Sequence, residues 1–127
     1  MTKAGVDPDD ITYLECHGTG TKVGDAIEVE ALCRVFQRPP TRPLVIGSVK
    51  TNVGHSEAAS GISSVIKATL ALERGQIPPT YGLKTLNPKL KPYESQISIP
   101  TELTAWPGHP SRVRRIGEYM NPPSCIT

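Results

Sequence analysis

Two of the chain's three histidines sit in matching settings. His17 lies in Glu15-Cys16-His17-Gly18-Thr19-Gly20-Thr21, and His55 lies in Lys50-Thr51-Asn52-Val53-Gly54-His55-Ser56-Glu57. Each follows a run of β-forming residues and precedes a helical pattern. A strand end fixes such a side chain and the loop exposes it. A neutral imidazole there can donate an N–H to an oxygen that gains negative charge, or relay a proton. On pattern alone, two histidines that merely complete their loops fit as well. Lys50 stands five residues before His55. It reads either as a surface lysine or as a cation that pairs with Glu57 and orients His55.

Other chemistries fit less well. Gly18, Gly20 and Gly24 follow a G-x-G-x-x-x-G spacing, one residue off the dinucleotide fingerprint, and no Gly-Lys-Ser/Thr follows. The glycines allow a tight turn. They also let backbone amides and the hydroxyls of Thr19 and Thr21 meet an extended ligand. Cys16, His17, Cys33 and His55 lack the spacing of a zinc site, since Cys16 and His17 are neighbours and point to opposite faces of a strand. Cys16, at a strand end, and Cys33, within a helix, read as small buried hydrophobes rather than nucleophiles.

The elements that must hold these residues follow from periodicity. Asp7-Pro8-Asp9-Asp10 is a turn, with Pro8 keeping Asp7 out of the helical region. Residues 11–16 form a first strand. A helix is expected over about 25–37, with Asp25 as N-cap and Glu28 completing a capping box. Its apolar stripe is Ile27, Ala31, Leu32, Val35 and Phe36, and Pro39 and Pro40 end it. Residues 44–49 form a second strand, apolar without alternation and so buried on both faces. A loop from Lys50 to Gly54 leads to a helix over 56–74, closed by Gly75 as a left-handed cap. Small residues in its first turns, Ala58 to Gly61, suit close backbone approach. Strand–loop–helix thus occurs twice, which favours a layered α/β fold with parallel strands. Nine of the 13 prolines lie from Pro78 onward. That stretch is extended or looped, with one short strand near 96–99.

Composition bounds the rest. The chain has 127 residues, 37% of them hydrophobic and six aromatic, which allows one domain with a thin core. Residues 1–64 carry 6 Lys/Arg against 8 Asp/Glu, and residues 65–127 carry 8 against 4. The net charge of +2 speaks against wholesale nucleic-acid binding, while the basic second half suits an acidic partner. Three irregularly spaced cysteines suggest no secreted disulfide framework. There is no apolar leader and no membrane-spanning run, so a soluble, cytoplasmic protein is expected.

The two histidine motifs also resemble a known family. The run from Glu15 to Asp25 is similar to the first histidine motif of β-ketoacyl synthases. The run from Gly47 to Gly61 is similar to their lysine and second-histidine motif. Pro100-Thr101-Glu102-Leu103-Thr104-Ala105-Trp106-Pro107 further resembles the iterative, highly reducing polyketide synthases of the fungal type. The resemblance covers about residues 1–115 and leaves residues 116–127 as a divergent tail. It implies the C-terminal half only of a thiolase-like fold, whose complete form has two similar α/β halves in five layers. It implies decarboxylative Claisen condensation of a malonyl-carrier protein with an acyl thioester, in polyketide or fatty-acid biosynthesis. By the same resemblance His17 and His55 are catalytic, hydrogen-bonding the malonyl thioester oxygen as it becomes an enolate, and Lys50 supports the His55 side electrostatically through Glu57. Thr19 and Thr21 bind the phosphopantetheine arm of an acyl carrier protein. No cofactor is bound directly. The implied partners are that carrier protein, the missing N-terminal ketosynthase half and, in the complete domain, a second copy. The family's nucleophilic cysteine belongs to a motif in the missing half, and its Phe-Gly-Phe-Gly-Gly loop is replaced here by the tail. The isolated chain is therefore expected to be inactive, with an exposed apolar patch where the other half would pack. A non-catalytic carrier-binding remnant and a gene-model fragment are the rival readings.

Overall fold

The computed structural model describes residues 5–107 and 115–118. Four parallel strands form the main sheet in the order β4-β2-β1-β6: β1 is Tyr13–Glu15, β2 Leu44–Gly47, β4 Ile97–Ser98 and β6 Ile116–Glu118. Parallel neighbours need long crossovers. Helix α1 (Gly24–Phe36) joins β1 to β2, and α2 (Lys50–Val53) and α3 (Ser60–Arg74) lie between β2 and β4. Two short strands, β3 (Gln76–Ile77) and β5 (Thr104–Ala105), pair antiparallel beside the sheet. This is the α/β organisation expected from the repeated strand–loop–helix pattern.

Alternation along β1 sorts the layers. Leu14 and Cys16 face one side and join Leu44, Ile46, Leu32 and Phe36 in the main core beneath α1. Tyr13 and Glu15 face the other side, where Lys67 of α3 reaches them. Arg38, just past α1, is buried and donates to the carbonyls of Pro8, Asp9 and Ile11, so the N-terminal turn is tied to the end of the helix.

Several expected boundaries shift. The first strand is confined to Tyr13–Glu15, and the loop begins at Cys16. Pro8 starts a short 3-10 turn, Pro8–Asp10, with Asp7 extended as its cap, as expected. Asp25 does not cap α1, and Glu28 completes no capping box. The cap position is Val23, without a side-chain bond. Thr21 Oγ1 instead accepts the Gly24 N–H at 3.1 Å, and Asp25 Oδ1 accepts that of Gly20 at 3.2 Å. The buried face of α1 is Glu28, Val29, Leu32, Cys33 and Phe36, while Ile27 and Val35 are more than half exposed. Glu28 turns inward, and this rotates the stripe. Strand β2 alternates in burial rather than being buried on both faces. The loop after it contains α2, and a 3-10 turn at Glu57–Ala59 precedes α3, so the second helix is broken at its start. Gly75 closes α3 at φ 63°, as expected. The expected strand near 96–99 is β4. Ile116–Glu118, the first residues of the expected divergent tail, extend the sheet as β6; residues 119–127 lie outside the described residues.

Candidate functional site

His17 leaves the end of β1, and three neighbours shape its loop. Glu28 Oε1 accepts the His17 N–H at 2.6 Å and Oε2 accepts that of Gly18 at 2.9 Å, so one carboxylate holds two successive amides. Ser48 Oγ donates to the His17 carbonyl at 3.4 Å. Gly18 has φ +49°, and a Cβ there would lie 2.7 Å from Ser48 Cβ. Only glycine fits that turn.

His55 follows the end of α2. The Gly54 N–H donates to the Lys50 carbonyl at 2.9 Å, and Gly54 has φ +80°. Glu57 holds a positive φ of 45° and donates its backbone N–H to His55 Nδ1 at 3.2 Å. A ring nitrogen that accepts cannot carry the proton, so neutral His55 carries it on Nε2 as a donor. The His17 and His55 rings meet edge to face, 5.7 Å between centroids and at 86°. Histidines 38 positions apart thus form one pair.

Burial, Lys50 and His55, in that order, hold the His17 imidazole below its ordinary value. Lys50 is buried, and its charge acts on His17 and Glu28. The expected Lys50–Glu57 ion pair is absent among the described residues. Glu57 orients His55 by its backbone, not its carboxylate. Burial raises the Glu28 carboxyl, against the pull of the Gly18 and His17 amides. Sequence reasoning read Glu28 as a helix cap. Its position on the same face as Val29, Leu32 and Phe36 was the available signal.

Thr21 lines a cleft of about 720 Å³ together with Gly18, Gly20, Lys22, Asn87 and Leu90. Thr19, half-buried, lies two residues before Thr21 on the same loop and is not among the residues that line this cleft. Cys16 and Cys33 are buried and unpaired. Burial, then Glu28 and Glu15, push the Cys16 thiol up; burial alone raises that of Cys33. Neither is a ready thiolate.

On the α3 side of the sheet, Val49, Val53, Ile66, Leu70 and Leu103 line a second groove of about 670 Å³.

Comparison with known proteins agrees with this geometry. Residues 1–84 match the family model of the β-ketoacyl synthase C-terminal domain. The chain is 78% identical over 117 residues to the highly reducing polyketide synthase anuA of Penicillium roqueforti, covering 92% of this chain and 6% of that protein. It is 61% identical over 105 residues to srdA of Neurospora crassa, also a highly reducing polyketide synthase, covering 83% and 4%. Among solved structures it superposes on ketosynthase twelve of the bacillaene polyketide synthase from Bacillus amyloliquefaciens with TM-score 0.81 and 32% identity, over 92% of this chain and 21% of that one. The module 6 ketosynthase of the bacillaene synthase from Bacillus subtilis 168 gives 0.80 and 38%, over 91% and 21%. The chain therefore spans a twentieth or so of its curated relatives and a fifth of the solved ketosynthases. The thiolase-like architecture expected from the motifs agrees with these superpositions.

Proposed function

The chain belongs to the β-ketoacyl synthases, as a C-terminal-domain segment, and from that premise we propose that it carries the decarboxylation side of a condensing site. The carrying observation is the His17–His55 pair, edge to face at 5.7 Å. In this reading the two rings bind the thioester oxygen of a malonyl group on the phosphopantetheine arm of an acyl carrier protein. The bond to the malonyl carboxylate breaks, carbon dioxide leaves, and its electron pair becomes the enolate. The His55 Nε2–H donates to that oxygen as negative charge accumulates, and His17, held neutral, supplies the second bond. Lys50 acts through His17 by keeping it unprotonated. The enolate then attacks an acyl thioester on a cysteine of the N-terminal half, whose thiolate leaves. Residues 1–115 are the family-like part and residues 116–127 a divergent tail. The carrier protein, the N-terminal half and, in the complete domain, a second copy are the partners, in the cytoplasm.

The test supplies the purified chain with malonyl-carrier protein and follows carbon dioxide release. Release should fall about 10²–10³-fold in His17→Ala and in His55→Ala, the usual loss for one such donor. Release indifferent to both substitutions sinks the reading. Condensation product should not form without an added N-terminal half.

A second reading, carrier binding without chemistry, is favoured by the cleft that Thr21 lines. Carrier binding weakened by Thr19→Ala and Thr21→Ala, with no carbon dioxide released, would decide for it. Thr21 in the cleft suits an extended arm.

A further inference from the structure

The site described so far uses no group from the sheet face under α3, yet that face holds a buried charge cluster. Glu15 is fully buried. Its Oε2 accepts from Tyr13 Oη at 2.6 Å and from Lys67 Nζ at 2.8 Å, and Lys67 Nζ also donates to Tyr13 Oη at 2.8 Å. These three atoms close a triangle. The other oxygen, Oε1, accepts the Val49 N–H at 2.5 Å. A full set of partners compensates a buried carboxylate, but an apolar replacement of similar shape is often as stable. Stability alone therefore gives no reason for an ion pair here.

Its connections supply a reason. Glu15 stands two residues before His17. Val49 stands immediately before Lys50 and α2, whose end leads to His55. Lys67 belongs to α3, the helix that follows the His55 loop. One carboxylate thus joins the root of the first histidine loop to both ends of the second. Gly47 leaves room for it: a Cβ there would lie 2.9 Å from Tyr13 Oη and 3.5 Å from Lys67 Nζ.

We propose that Glu15, clasped by Tyr13 and Lys67, is a positioning residue that sets the separation of the His17 and His55 rings. The proposal deepens the condensing-site reading and rests on it for its purpose, but the ring geometry is measurable without any chemistry. Cutting the clasp frees the α2 entry and α3 from β1. The His55 ring then moves relative to His17 while the core under α1, on the opposite face, persists.

The experiment uses the full chain and nuclear magnetic resonance. Two quantities are read: the nuclear Overhauser effect between the imidazole rings, and the His17 titration midpoint. In Lys67→Met and Glu15→Gln the inter-ring effect should weaken severalfold. The His17 midpoint should move up toward its ordinary value as His55 and Lys50 draw away. Lys67→Arg, which keeps the cation, should retain both readouts. Ile97→Ala, a core truncation remote from the clasp, should lower stability and leave both unchanged. Tyr13→Phe keeps the ring and the ion pair while removing one donor, and should weaken the inter-ring effect. It decides the matter if the charge variants do not fold. Wild-type readouts in folded Tyr13→Phe, or equal losses in Ile97→Ala, overturn the proposal and make the cluster a packing feature. A clasp that behaves as stated, beside carbon dioxide release indifferent to the histidines, would sink the condensing reading and keep the positioning one.

Discussion

At the scale of single residues, the site depends on charges that face one atom group. His17 lies near Lys50, His55 and Asp25, and only the last pulls its value up. Burial, Lys50 and His55 prevail, so its folded value sits below the unfolded 6.5. Between those two values the unfolded chain takes up the proton first. The stability linked to His17 is thus complete above about pH 6.5 and is lost as pH falls from there toward the folded midpoint. Proton resonance titration should place the His17 midpoint below 6.5, and Lys50→Met should raise it. A midpoint at the ordinary value, or one indifferent to Lys50→Met, would contradict the geometry. The two histidines stand out in the chain by their matching strand-to-loop positions, a pattern that by itself fits structural loops as well. Glu28 and Glu15 do not. A carboxylate near a helix start reads as a cap, and nothing local to the first strand marks Glu15 as one half of a buried ion pair. What turns them inward is a partner distant in sequence: the Gly18 amide for Glu28 and the Lys67 ammonium for Glu15.

At the scale of elements, helix ends carry the clearest energetic contrast. Both α1 and α3 close in the left-handed region, but α3 does so at Gly75 and α1 at Gln37, with φ 44°. A side chain in that conformation costs about 1–2 kcal/mol relative to the right-handed one, and glycine avoids it. Gln37→Gly should therefore stabilise the chain by up to about 1 kcal/mol, less the Gln37 side-chain bond to the Arg34 carbonyl. Gly75→Ala should destabilise it by about as much. Urea unfolding of both variants checks the pair, and a loss of stability in Gln37→Gly would refute the contrast. Periodicity located α1, β2, α3 and the Gly75 cap because each rests on local pattern. It misassigned the cap of α1 and missed α2. The turn before α1 is closed by Thr21 Oγ1 and by Glu28 reaching back into the histidine loop, bonds that no helical period encodes. The strands β3, β5 and β6 are two or three residues long and exist only because a partner strand stands beside them.

At the scale of the molecule, the described residues close a core on one face and expose apolar side chains on the other. The α1 side closes a core, whereas Ile62 on α3 is 68% exposed and Ile66 is 54% exposed, with Val53, Val65 and Leu70 beside them. An exposed apolar patch is expected where the resemblance implies a missing half, on the helix whose first turns carry the small residues Ala58 to Gly61. Apolar surface of this extent drives association. Sedimentation velocity of the wild-type chain should show concentration-dependent association, and Ile62→Lys with Ile66→Lys should shift it toward monomer. Because both side chains are in water already, stability should change by no more than about 0.5 kcal/mol each. Monomeric wild type would contradict the prediction.

The order of strands in the main sheet also has a temporal meaning. Strand β1 carries His17 at its end and sits between β2 and β6, and the contact that seats β6 joins Thr12 to Arg115, 103 positions later. The entropy of closing so long a loop is modest, since each doubling adds only about 0.6 kcal/mol. The delay is what matters. Translation at roughly 5–20 residues per second takes about 5–20 s to cover that stretch. During that interval β1 can pair with β2 alone, and its other edge offers unpaired amides and carbonyls to any extended chain nearby. The strand that roots the first histidine is therefore made well before the strand that encloses its second edge.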